Sequence, residues 1–324
     1  MNSTEVRIVK YSENFRREWD DFVEDSKNSH FMHKRDYMEY HAIRFEDCSL
    51  ILKSCKDEIL ALFPANIADG IVYSHQGLTF GGLLVSSRAR MTTVADCFDA
   101  IGNYFRSNYG ASDVIYKRVP DFYHRSPSQE DLYALFNLNA QVVRRDISSL
   151  IALDTRINYS KLRKRSINKA KKSGIIAKEV TDIKQFWVLL ASVLEERHEA
   201  KPVHSAQEMA LLMTRFPRNI RCFVAQALDS SIVAGTLIYE TETVAHAQYL
   251  ANSPFGREVG ALDYLLDILI SEIYKDKKYF DFGISTENNG RTLNEGLLAQ
   301  KEGFGARGIV HDFYKWDIRG FDAA

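Results

Sequence analysis

The chain of 324 residues has no run approaching the ~18 uninterrupted apolar residues of a membrane span, and its start, MNSTEVRIVKYSENF, is neither basic nor apolar. A cytoplasmic location is the expectation. Cysteine is scarce: Cys48, Cys55, Cys97 and Cys222 form no CxxC pair and no grouping with histidine, which argues against structural zinc and a disulfide framework. Net charge is only -1, so no global basic field announces nucleic acid, although local patches are compatible with it. There is no GxSxG elbow and no cysteine in a nucleophile's context, so an acyl-enzyme is not expected.

What is present describes a folded protein. Apolar residues make up 45% and aromatics 12%, with no long low-complexity tract, and the length suggests two domains. The central stretch is Ala245 to Gly283. A strand over 244–251 leads through a loop with Pro254, Gly256 and Gly260 into an amphipathic helix, and the chain returns as a strand over 279–284. In the helix Leu262, Leu265, Leu266, Leu269 and Ile273 share one face, while Asp263, Asp267 and Ser271 stack on the other. Arg257, Gly260 and Ala261 precede the helix and could present unhindered backbone N–H groups to a phosphate.

The same order of strand, glycine-bearing loop, helix and strand occurs earlier. A strand over 71–75 and the run SHQGLTFGGLL precede a helix carrying Val94, Cys97, Phe98, Ile101 and Phe105, and a strand over 113–117 follows. His75 and His246, like Val94 and Leu265, are 171 residues apart, which points to a duplication. Between the halves, seven of the twelve residues from Lys161 to Lys172 are basic, and Gly174 suits a helix C-cap. This segment reads either as a solvated linker helix or as a cradle for a polyanion. The carboxyl-terminal half continues as a strand over 175–180, helices over 182–198 and 205–216, three strands over 220–251, the central stretch, a helix over 292–302 and a last strand over 308–316.

That succession resembles the GNAT N-acyltransferase fold. In that family the acyl donor lies where the fourth strand splays from the fifth, and its pyrophosphate rests on an R/Q-x-x-G-x-G/A loop. Arg257 and Gly260 match this pattern, with Leu262 at its last position. The segments RKRSINKAKKSG and FDFGISTENNGRTLNEGLLAQKEGFGAR are similar to the double-domain branch containing the Fem-type peptidoglycan peptidyltransferases and related polysaccharide-locus acyltransferases. The resemblance implies an α/β (α+β) protein of two tandem GNAT-like domains, each a mixed, mostly antiparallel sheet flanked by helices. The first, 1–150, would shape the acceptor site. The second, 151–324, entered through a basic helix over 157–173, would hold the donor.

Acyl transfer to an amine needs a proton acceptor and donors for the oxyanion. The strand around Gln248, Tyr249 and Leu250 is expected to polarise the donor carbonyl. Lys301 matches the lysine that Fem-like proteins place in the catalytic cavity, and Asp281 could orient a base or bind the amine. The loop EERHEAKPVHS offers Glu196, His198, Lys201 and His204 around the acceptor, with the two histidines as candidate proton acceptors. It lacks the H-x-x-x-H spacing of a helical metal site, so no metal is expected. Ser74, His75 and Gln76 in the first half, and Arg291, Asn294 and Glu295 in the second, are further candidate acceptor contacts. The resemblance implies transfer from acyl-CoA to an amino sugar, nucleotide- or carrier-linked, during envelope polysaccharide synthesis. The alternatives are an aminoacyl-tRNA-dependent transferase acting on a peptidoglycan precursor, and a non-catalytic binding module.

Overall fold

The computed structural model describes residues 5–198 and 200–320. The chain divides into two compact units, one formed by residues up to Asp146 together with those from Val310 onward, the other by Ile147–Ile309. The last strand therefore joins the first unit in its main part, where a division into 1–150 and 151–324 had placed it wholly in the second.

In the first unit, β1 (Val6–Lys10), β2 (Leu50–Ser54) and β3 (Ile59–Phe63) pair antiparallel. The β2–β3 turn is made by Asp57, at φ 66. β4 (Ile71–Tyr73) and β5 (Asp113–Lys117) pair in parallel and are joined by helix α1 (Met91–Tyr109). Its face of Val94, Cys97, Phe98, Ile101 and Phe105 is buried, as the spacing requires, and Gly110 closes it in the left-handed conformation. A short helix, α2 (Glu130–Asn137), has no counterpart in the sequence reading.

The second unit begins within strand β6 (Gln141–Ala152), followed by the basic helix α3 (Lys161–Lys172). Then come β7 (Ile176–Val180), α4 (Lys184–His198), α5 (Ala206–Arg215), β8 (Ile220–Gln226), β9 (Ile232–Glu240) and β10 (Val244–Asn252). Ser205 and Glu208 form a capping box that starts α5. The expected loop after β10 is partly helical: Pro254–Val259 is a short helix, α6, with Ser253 as its cap and Gly260, at φ 82, ending it. Helix α7 (Ala261–Ile268), a π-helical turn (Leu269–Ile273), β11 (Tyr279–Ile284), α8 (Glu295–Glu302) and β12 (Arg307–Asp317) complete the chain. Between β11 and α8 lies a small hairpin of Thr286–Glu287 with Thr292–Leu293, also absent from the sequence reading.

The strands of this unit run β7-β8-β9-β10-β11-β6, antiparallel except for β10 with β11. The second unit thus has a mixed, mostly antiparallel sheet with one parallel pair bridged by a helix, while in the first unit the parallel pair β4–β5 lies in a different sheet from β1–β3. Leu262, Leu265 and Leu266 of α7 pack with Ile238, Ala247, Phe280 and Phe282 on one face of the second sheet. Each of these leucine, isoleucine and phenylalanine side chains contributes roughly 1.5–3 kcal/mol by leaving water. Helix α4 covers the other face, with Phe186 against Gly235 and Trp187 against Tyr249.

Candidate functional site

β10 and β11 are in register for three pairs only: Val244 with Tyr279, Ala245 with Phe280, and His246 with Asp281. Two backbone irregularities then drive the strands apart. Ala247 and Tyr249 pair with adjacent residues of β9, so Gln248 is a bulge outside the registered pairs. On β11, Gly283 takes φ 74 and the register with β6 shifts between Asp281 and Ile284. Between the separating strands opens a cavity of about 440 Å³. Leu250, Leu266, Phe282 and Phe304 supply apolar wall, and Lys301 and Arg257 are its cationic members along with Arg163. Val193 of α4 also lines it, so the cavity reaches from the α7 face through the gap to the α4 face.

At the base of the gap stands a carboxylate–imidazole pair. His246 Nδ1 lies 2.8 Å from Asp281 Oδ2. The Ser148 hydroxyl donates to Asp281 Oδ1 at 2.6 Å, and the Gly283 N–H donates to the same oxygen at 3.0 Å. Asp281 is fully buried, so these partners fix its carboxylate and through it the imidazole. With Nδ1–H directed at Asp281, Nε2 is left as the basic nitrogen, and it faces the Gln248 side chain at 3.2 Å.

Lys301 is buried, and its Nζ donates to Gly283 O at 2.8 Å and Ile284 O at 2.7 Å. It holds the kinked end of β11, a role different from that of a cation at a helix terminus. Burial pushes its pKa down to about 8, against the opposing charge of Asp281.

The other expected residues fall into separate groups. His204 Nδ1 is 2.6 Å from the Tyr249 hydroxyl, on the α4 face, and burial pushes that tyrosine up to about 12. His204 thus stands with Tyr249, and the imidazole hydrogen-bonded to Asp281 is that of His246. The His198 side chain lies outside the described residues. Glu196 and Lys201 are exposed. Arg291 is exposed beside the small hairpin, Glu295 is exposed in the first turn of α8, and Asn294 is its cap, accepting from Leu297 N at 3.0 Å.

The expected phosphate loop differs most from the sequence reading. Gly260 donates its N–H to Gly256 O at 2.9 Å, Arg257 Nη1 donates to Asn252 O at 2.6 Å, and Ala261 is fully buried. Helix α3 lies on this corner: a Cβ at Gly260 would overlap Ser166, Arg163 Nη1 reaches both oxygens of Asp263 at 2.6 Å, and Lys169 donates to Glu258 O. The Gly260 amide is spent inside α6, while Gly260 itself lines the cavity with Arg257, Ser166 and Arg163, so α3 forms a wall beside the turn. In the first unit, Ser74, His75 and Gln76 surround Lys117. Ser74 Oγ accepts from Lys117 N, and Lys117 Nζ donates to the carbonyls of His75, Gln76 and Leu78. These three residues are engaged in holding that lysine.

His246 was missed as a site residue although it marked the internal repeat. Its signal was its place on the strand, which acquires meaning only once Asp281 is opposite. Among the described residues no group of three or more His, Cys, Asp or Glu could hold a metal, and no helix is long and apolar enough to cross a membrane.

No family model and no curated sequence matches the chain. Solved structures do match. A crystal structure of FemX aligns over 96% of this chain and 97% of its own at 10% identity and a TM-score of 0.66. L-PGS from Bacillus licheniformis aligns over 94% and 92% at 13% identity and 0.60, and a tandem GNAT protein from the clavulanic acid biosynthesis pathway over 98% and 100% at 12% identity and 0.51. At such identities the likeness is one of fold.

Proposed function

We propose that this chain, built on the double-domain GNAT, Fem-like fold, is an N-acyltransferase that moves an acyl group directly from a carrier to an amine. The observation carrying this reading is the His246–Asp281 pair, set where β10 and β11 part and a cavity begins. In the proposed step the amine nitrogen attacks the donor carbonyl carbon and a C–N bond forms. His246 Nε2 takes the amine's proton, while Asp281 steadies Nδ1–H. The oxyanion is met by backbone N–H groups around the Gln248 bulge, a contribution of ~3–4 kcal/mol per donor in comparable sites. The carrier leaves as its bond to the carbonyl carbon breaks, and takes the proton. Gln248 must swing away from Nε2 or offer it an N–H as the amine enters.

The specific form favoured by the sequence is transfer from acyl-CoA to an amino sugar of an envelope polysaccharide precursor, in the cytoplasm. The residues between Gln248 and Leu250 and the cavity below them suit a thioester arm. A second reading, an aminoacyl-tRNA donor, is favoured by one observation. Beside the turn at Gly260, where a coenzyme's pyrophosphate would rest, α3 carries the exposed Lys161, Lys164, Arg165 and Lys172, a patch suited to a nucleic-acid backbone. Calorimetric titration with coenzyme A, acetyl-CoA and deacylated tRNA separates the two. Coenzyme binding weakened by Arg257→Glu supports the first, and salt-sensitive tRNA binding without coenzyme binding supports the second. Binding without turnover by any donor would leave only a binding module.

A further inference from the structure

The bulge in β10 decides which way the side chains after His246 point. His246 is opposite Tyr239 and Tyr249 is opposite Leu237, two positions away on β9. Ile238 between them faces the α7 core, so Tyr239, Leu237 and their partners His246 and Tyr249 face α4. The Gln248 carboxamide comes to the same place, with Oε1 at 3.2 Å from His246 Nε2. Both side chains are only partly buried, and this carboxamide makes no other hydrogen bond among the described residues.

The two atoms are mismatched. With Nδ1–H directed at Asp281, Nε2 is an acceptor, and so is Gln248 Oε1. Nothing then supplies a proton between them. An imidazolium would supply one but could not serve as base. The neighbouring polar groups are engaged: Tyr249 with His204, Lys301 with two carbonyls, and Asp281 with Ser148 and Gly283. The donors must come from a ligand.

A primary amine brings two N–H groups. At ~2.9 Å from each acceptor they need the acceptors about 4.7 Å apart, so the carboxamide must open by roughly 1.5 Å from its present 3.2 Å. An alcohol or a secondary amine has one such hydrogen and leaves one acceptor unmatched.

We propose that the Gln248 side chain selects a primary amine as the acyl acceptor, accepting one of its N–H groups while His246 Nε2 accepts the other. The proposal rests on the acyl-transfer reading for the reaction, and on the geometry of His246 and Gln248 for the binding. As the C–N bond forms, the proton facing Nε2 moves to it and then to the departing carrier. The N–H held by Gln248 stays in the product amide.

Fluorine NMR titration of the full chain with trifluoroethylamine, its N-methyl derivative and trifluoroethanol tests this without a turnover assay. The primary amine is expected to bind about fivefold more tightly than the other two, and Gln248→Leu to remove most of that preference. Urea unfolding of the variant separates lost binding from lost folding, and should it not fold, the N-methyl probe carries the comparison in the parent chain. No binding of the primary amine, equal binding of the three probes, or a preference unchanged in folded Gln248→Leu overturns the proposal. Gln248-dependent binding of amines that no acyl-CoA or aminoacyl donor ever acylates would keep the amine site and sink the transfer reading. Acylation that needs His246 but prefers amines to alcohols as strongly in Gln248→Leu would do the reverse.

Discussion

His246 and Asp281 form the last registered pair of the two parallel strands, and their side chains meet at 2.8 Å just before those strands separate. A buried carboxylate that also accepts from Ser148 and the Gly283 amide cannot turn away from the imidazole without leaving these donors unmatched. The ring is therefore held in one orientation before any substrate arrives. General-base catalysis contributes about 10²–10⁴-fold, so His246→Ala should lower kcat by that order. Asp281→Asn should lower kcat and shift its pH profile, because an amide no longer favours Nδ1–H. Steady-state rates across pH check both, and a flat response of kcat in His246→Ala would remove His246 from the mechanism.

Arg163 and Asp263 pin α3 to α7 with both partners largely buried. Removing one leaves the other charge uncompensated, so Arg163→Ala should cost about 3 kcal/mol in urea unfolding. The swap Arg163→Asp with Asp263→Arg should recover part of that loss. Equal stability of Arg163→Ala and the parent would show that the pair does not fasten the helix.

Gly260 combines φ 82 with close approach to Ser166 on α3. Alanine there meets both the left-handed strain and a backbone carbonyl, a cost of roughly 1–3 kcal/mol or displacement of α3. Thermal unfolding together with hydrogen exchange over residues 161–172 distinguishes the two responses.

Burial lowers two lysines, Lys301 to about 8 and Lys117 to about 7, from 10.5. Between these values and 10.5 the unfolded chain binds more protons than the native one, so stability should rise with pH over that range. His33 and His124, lowered to about 4 from 6.5, act likewise at lower pH: stability should fall as pH drops below about 6.5 and level off near 4. Urea midpoints from pH 4 to 10 follow both limbs. Lys301→Met should reduce the slope of the alkaline limb above pH 8 by about half, Lys117 supplying the rest, and an unaltered slope would mean Lys301 is not a source.

Local pattern alone determined most of the elements. The spacing of Val94, Cys97, Phe98, Ile101 and Phe105 fixes which side of a helix must be buried, and the tight turns at Asp229–Ser231 and Thr241–Thr243 leave three neighbouring strands little choice but to pair. Asp281 could be singled out by its place on a strand beside the expected donor gap, and Lys301 through the family resemblance alone. The tertiary structure decided what these residues touch. Asp281 acquires its role from His246, 35 residues away, and Ser148, 133 away, and strand register aligns all three. The close approach at Gly260 comes from Ser166, 94 residues earlier, and β12 returns to the first unit because Phe313 to Asp317 find their ladder on β5. Periodicity along the chain reports which face of an element is apolar. It carries no information about which distant element will lie against that face, and the chemistry of this site is made of such distant pairings.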